Sequence, residues 1–220
     1  RNNTGSYNVA MGTRTLYTNT TQSNLVAIGY KAMYNNTGAN NTAVGNKALF
    51  SNTGGMENTA VGNEALYENT GNFNTALGNL ALRWNYSGIS NTATGNWALS
   101  SNTEGNRNTA FGKEALYTNA DGDENTATGA EALRNNTGSS NVANGYRALY
   151  TNTTGNSNVA IGTKALNRNT TKSNLVAVGD SALYNNGVGA TISYHATDNT
   201  AVGSKSLFNN TKGDGNTANG

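Results

Sequence analysis

The chain has 220 residues, of which 35% are hydrophobic and 12% charged, with a net charge of +2. By count 42 residues are Asn and 27 are Gly, and Pro and Cys are absent. So little apolar volume excludes an ordinary globular core, and only stacking of repeated units would supply burial that no single unit achieves. The basic residues form no stripe of the kind that follows a phosphate backbone, so nucleic acid is not an expected partner. No run approaches the 18 apolar residues of a membrane span, and no membrane insertion is expected within this segment. The absence of cysteine decides nothing about redox compartment.

Read from the N-terminus, an Ala-X-Gly triplet recurs thirteen times, its glycines running from Gly12 and Gly29 to Gly203 and Gly220. The spacings are 16 or 17 residues, with one of 24 before Gly203. A full coil reads Asn-Thr/Val-Ala-X-Gly-X-X-Ala-Leu-Tyr-X-Asn-Thr, positions one to thirteen, followed by a Gly-rich tail. Positions one to twelve always span 11 residues, as from Asn41 to Asn52, and all length variation falls in the tail. A rigid coil with one tolerant loop behaves this way. The period is shorter than the roughly 20 residues a strand with a returning helix needs. It predicts two short strands and two turns per coil, with coils about 4.8 Å apart and a rod of about 60 Å. The fold class expected is all-β, a parallel β-solenoid, with residues 1–220 forming one array.

The first strand is the most constrained. Position two is Thr in eight copies and Val in five, position three is Ala in all thirteen, and position four is apolar in nine. Because faces alternate along a strand, positions two and four share one face while Ala and Gly share the other. The Ala/Gly face admits no bulk and predicts the interior of a flat roll. The opposite face, apolar but irregular in size, predicts a seam with another subunit. Leu at position nine should fill the interior. Position seven is charged in nine of twelve coils, so the chain must bend near the Ala-Leu pair. The Asn at position twelve, present in all twelve full coils, suits turn geometry and a ladder of stacked amides.

Three irregularities follow in chain order. Leu80, Trp84, Tyr86, Ile89 and Trp97 cluster in adjacent coils, with Leu80 and Trp97 replacing the usual charge at position seven and expected to stack on the outer face; exposed rings suit contact with glycans or proteins. Asp121, Asp123 and Glu124 crowd one turn, too few oxygens for calcium. The insertion from Gly187 to Asp198 lengthens one tail by seven residues and carries Val188, Ile192 and Tyr194 as well as the lone His195. The binding candidates are therefore Trp84, Tyr86, Trp97, Val188, Ile192 and Tyr194. No recurring nucleophile, base or metal constellation exists, so neither an enzyme nor a cofactor is expected.

Segments such as Asn158-Val159-Ala160-Ile161-Gly162 and Leu25-Val26-Ala27-Ile28-Gly29 resemble the head repeats of trimeric autotransporter adhesins, the YadA-like head; similar repeats occur in phage tail fibres and other surface fibres. The resemblance covers the whole chain. It implies a left-handed parallel β-roll in which three rolls pack side by side, located outside the cell or on a particle. The partners implied are two further copies of the chain and a host-cell, matrix or glycan surface. The coils here are longer than the commonest head coil, through the Ala-Leu-Tyr-X-Asn-Thr half. The start at Arg1-Asn2-Asn3-Thr4-Gly5, a coil's end, reads as a piece of a longer molecule. A rival reading is an ice-binding solenoid, since Thr holds position two in six consecutive coils from Thr42 to Thr126.

Overall fold

The computed structural model describes residues 4–220, and the coil end expected to begin at Arg1 lies partly outside them. Within these residues the protein is all-β and has no helix. Thirteen three-residue strands, from Val9–Met11 to Thr217–Asn219, form one parallel sheet in sequence order. Each pairs with the strand of the next coil, coil position against coil position: Val9 with Val26, Ala43 with Ala60, Thr92 with Thr109. The chain is a parallel β-solenoid. In-register stacking explains why position three never varies, since each Ala sits on its own copy above and below.

The interior is narrow. The Ala residues of positions three and eight and the Leu of position nine are fully buried in nearly every coil and form one continuous core, with Met33 taking the Leu place once. The bend expected near the Ala-Leu pair has a backbone cause. Positions seven and nine both adopt left-handed conformations, φ 52° at Lys47 and 51° at Leu49, with ordinary Ala48 between them. Each left-handed non-glycine residue costs about 1–2 kcal/mol. Fully burying a leucine returns about 1.5–3 kcal/mol, so position nine tolerates the conformation and position seven keeps its charge outside. The glycine ending the strand has no such freedom: at Gly45, φ is 139° and a Cβ would lie 2.3 Å from the carbonyl oxygen of Gly62 in the next coil.

The second strand forms in only part of the array. Asn35–Asn36, Ser51–Asn52, Glu68–Asn69 and Trp84–Asn85 make a four-stranded parallel sheet, extended by single bridges through Ser101 to Thr118. Two strands in every coil, as the sequence predicts, is therefore too regular. The competing bond is local. In the coils of Asn136, Asn152 and Asn169 the position-twelve amide donates back to the position-nine carbonyl of its own coil, as from Asn152 N to Leu149 O at 3.1 Å. That turn removes the donor a second ladder requires.

Candidate binding surfaces

Two buried asparagine ladders set the stiffness of the surface above them. At position twelve of a regular coil the amide donates to the previous coil's amide oxygen and to its own tail: Asn52 Nδ2 reaches Asn36 Oδ1 at 2.7 Å and Gly55 O at 2.6 Å. At position one a second ladder runs through the backbone, Asn58 N donating to Asn41 Oδ1 at 2.8 Å while Asn41 Nδ2 donates to Gly55 O at 2.9 Å. The first ladder is the one the sequence predicts. The second escaped notice, although Asn recurs at position one as well. Both converge on the carbonyl of one tail glycine, so tail and coil are one hydrogen-bonded unit. Leu25 and Leu175, each fully buried, interrupt the second ladder.

The face of positions two and four points outward. Met11 is 62% exposed and Phe111 60%, and Val9, Leu77, Ile161 and Val202 are exposed in the same rows. The polar members Thr94 and Asn144 sit among them in register. This places the expected seam residues on the surface of the single chain.

The aromatic candidates do not come together as one patch. Trp84 meets Tyr67 edge-on at 5.6 Å and lies under the Arg83 guanidinium at 4.3 Å. Trp97 meets Tyr117 of the next coil at 5.7 Å. Both are half-buried extensions of a column of rings at position ten, in which Tyr17, Tyr34, Phe50 and Tyr67 stack 4.8–5.2 Å apart. Arg83 and the small, buried Ser100 occupy that column next, and the two tryptophans supply ring area where it lacks rings. Tyr86 is exposed and its carbonyl accepts from Thr70. Among the acidic residues of the Asp121–Glu124 turn, Asp123 accepts from Asn106 and Glu124 pairs with Arg107 at 2.8 Å. No acidic or imidazole group of metal-binding size exists among the described residues.

The insertion is built around Lys172. In every regular coil but that of Gln22 this place in the tail is glycine, and a Cβ there would meet the next coil's carbonyl, 2.4 Å away at Gly88 and 2.5 Å at Gly105. Lys172 is only 7% exposed, and its ammonium donates to Ile192 O at 2.8 Å and Ser193 O at 3.2 Å. Gly187 crosses its stem so closely that a Cβ there would lie 2.9 Å from Lys172 Cγ. The inserted loop also costs one rung: Asn186 Nδ2 donates to Ala196 O instead of Asn169, whose buried Oδ1 has no hydrogen-bond partner. Ile192 and Tyr194 are exposed, Tyr194 standing edge-on to His195 at 5.2 Å.

Val188 lines a surface groove of about 290 Å³ together with Gly187, Gly189, Thr151, Arg168 and Thr170. Lys172 and Arg168 are functional candidates that sequence reasoning missed. A basic residue replacing the tail glycine in the coil just before the insertion was the available signal.

Compared with protein-family models, curated proteins and solved structures, the chain matches none.

Proposed function

We propose that this chain is a segment of an extracellular, adhesive fibre, in which three copies of a 16- or 17-residue-period roll pack side by side and present an attachment surface for a host cell, matrix or glycan. The resemblance of the repeats to adhesin heads supports the reading. The single observation that carries it is the outward face of positions two and four, whose Val, Met, Leu, Phe and Ile members recur along the rod exposed or half-exposed among Thr and Asn. A soluble chain seldom leaves so extended an apolar row uncovered. A second copy of the same rod would meet it with matching coil spacing, and a threefold arrangement closes without leaving an open face.

Sedimentation in solution tests assembly, and Ile161→Asp tests the seam. Ile161 is exposed in the single chain, so the substitution leaves each roll folded. In the seam it would bury an unpaired carboxylate, at a cost of several kcal/mol. The expected outcome is a trimeric wild type and a monomeric, folded variant. A variant that stays trimeric with an unchanged melting temperature removes the seam from this face.

A second reading has one specific observation in its favour. Thr42, Thr59, Thr75, Thr92, Thr109 and Thr126 lie in register on adjacent strands, a regular hydroxyl array. Their same-face neighbours range from Thr94 to Phe111, which breaks the flatness an ice surface demands. Thermal hysteresis in a monomeric wild type would favour this reading over the fibre.

A further inference from the structure

We infer that the groove between the insertion and the two preceding coils is a binding site for the carboxylate or sulfate group of an acidic saccharide, with Arg168 as its anchor. The inference names the ligand chemistry of the attachment reading and rests on that reading for the choice of a saccharide as carrier of the anion.

Charge is the first argument. From residue 131 to residue 198 the chain carries Arg134, Arg147, Lys164, Arg168 and Lys172 against Glu131, Asp180 and Asp198, so what matters is which cations are paired. Arg134 and Arg147 are neutralised by Glu114 and Glu131 at 2.8 and 2.9 Å. Arg168 has no carboxylate within ion-pair distance among the described residues, and neither has Lys172. The Arg168 guanidinium makes one hydrogen bond, Nη1 donating to Asn185 Oδ1 at 3.2 Å, and its other N–H groups have no acceptor among the described residues. A guanidinium with a free donor edge matches the paired oxygens of a carboxylate or sulfate.

The groove supplies the rest. Thr170 lies exposed on its wall with a hydroxyl that makes no hydrogen bond among the described residues, and the Gly189 amide is likewise unengaged there. A Cβ at Gly189 would meet nothing within 4 Å, so this side of the groove is open. Gly187 and Gly189 both take left-handed conformations, φ 70° and 75°, which shape the rim, and Lys172 pins the loop behind it. At about 290 Å³ the groove is at the lower limit of small-molecule sites, the size of one sugar unit with the remainder of the chain in solvent. Val188 gives it an apolar wall.

The test titrates the whole 220-residue protein with a galacturonate oligomer, a sulfated disaccharide and a neutral galactose oligomer, read by calorimetry and by amide chemical shifts. The expected result is affinity on the order of 1 mM for at least one anionic probe, with shifts confined to residues around Thr151, Arg168 and Val188. The two anionic arms decide between carboxylate and sulfate. Arg168→Ala should weaken binding at least tenfold with an unchanged melting temperature, and Arg168→Lys should recover part of it. Arg14→Ala, in a distant coil, should change nothing. Equal binding of the neutral oligomer, full binding by the Arg168→Ala variant, or equal loss in the Arg14→Ala variant each overturns the site. If the rod still attaches to cells when the site fails, the attachment reading survives alone. If the site binds and the rod attaches to no surface, the anion site stands and the attachment reading falls.

Discussion

In a regular coil the tail closes on a glycine whose carbonyl accepts from two asparagine amides, as Gly55 does from Asn41 and Asn52. In the tail beginning at Gly187 the corresponding carbonyl belongs to Ala196, ten residues from the Asn186 that donates to it, and a buried lysine replaces the stacked groups beneath. The regular tail is held by repetition, so each residue is constrained by its own copies above and below. The inserted tail is held by local backbone bonds, by Asn186 and, beneath it, by one buried lysine bridging to two carbonyls. Repetition therefore gives high local stability with no freedom of shape, and the insertion gives shape with fewer cross-coil bonds.

The largest effect should come from breaking repetition itself. Gly62→Val puts a branched side chain at φ 138° and a Cβ 2.3 Å from the Gly78 carbonyl oxygen. Both terms oppose folding, and a loss of about 3 kcal/mol or more is expected, seen as a large fall in melting temperature or in insoluble protein. Val at Gly189, where a Cβ meets nothing, should cost far less despite its own left-handed φ.

Next comes the ladder. Asn119→Leu removes donation to Asn102 Oδ1 at 2.9 Å and to Gly122 O at 2.8 Å, leaving Asn102 Oδ1 buried without a partner. A cost of about 2–4 kcal/mol is expected from denaturant unfolding. Asn186→Leu breaks a ladder already interrupted on one side, because Asn169 Oδ1 has no partner in the native chain. It should be milder by about 1 kcal/mol. Equal losses at the two sites would show that the rungs act independently and that the interruption has no energetic meaning.

Lys172→Met should act locally. The stem stays buried while the bonds to Ile192 O and Ser193 O are lost. Amides of residues 190–195 should exchange about tenfold faster, whereas the melting temperature of the stacked coils should move little. A global loss as large as that of Asn119→Leu would mean that the insertion is part of the stack.

Much of the fold was legible because the repeat makes each position a thirteenfold measurement. Invariant Ala at position three and Leu at position nine specified the interior, and both are buried in every coil away from the two ends. Constant Asn at position twelve specified its ladder. What was not legible lay in the competition between local and cross-coil bonds. Position eleven varies from Thr151 to Trp84, and no pattern announces that Asn152 N turns back to Leu149 while Ser51 and Asn52 pair with the next coil. Exposed aromatics were overestimated for the same reason: Trp84 and Trp97 are half-buried against Tyr67 and Tyr117, a contact made only once coils are stacked. At the insertion, the apolar residues drew notice while Lys172, buried beneath them, organises the loop.

The smallest effect belongs to the surface ion pairs, which separate the regular array from the insertion by charge. Glu114 sits between Arg134 at 2.8 Å and Lys113 at 3.4 Å. The hydrogen bond from Arg134 holds its carboxyl below the ordinary glutamate range, against the opposing effect of partial burial, and the pairing raises Arg134 in turn. A carboxylate with a folded pKa below its unfolded one adds stability that is fully present above the unfolded value. That contribution is lost as pH falls through the lowered folded value. Half-exposed pairs of this kind contribute at most about 1 kcal/mol. The difference in melting temperature between wild type and Glu114→Gln should therefore favour wild type at neutral pH and shrink to nothing on acidification through the carboxylate range. Added salt should diminish it at neutral pH. A difference that is constant with pH would assign the effect to packing of the side chain, and one that grows on acidification would reverse the sign of the pairing.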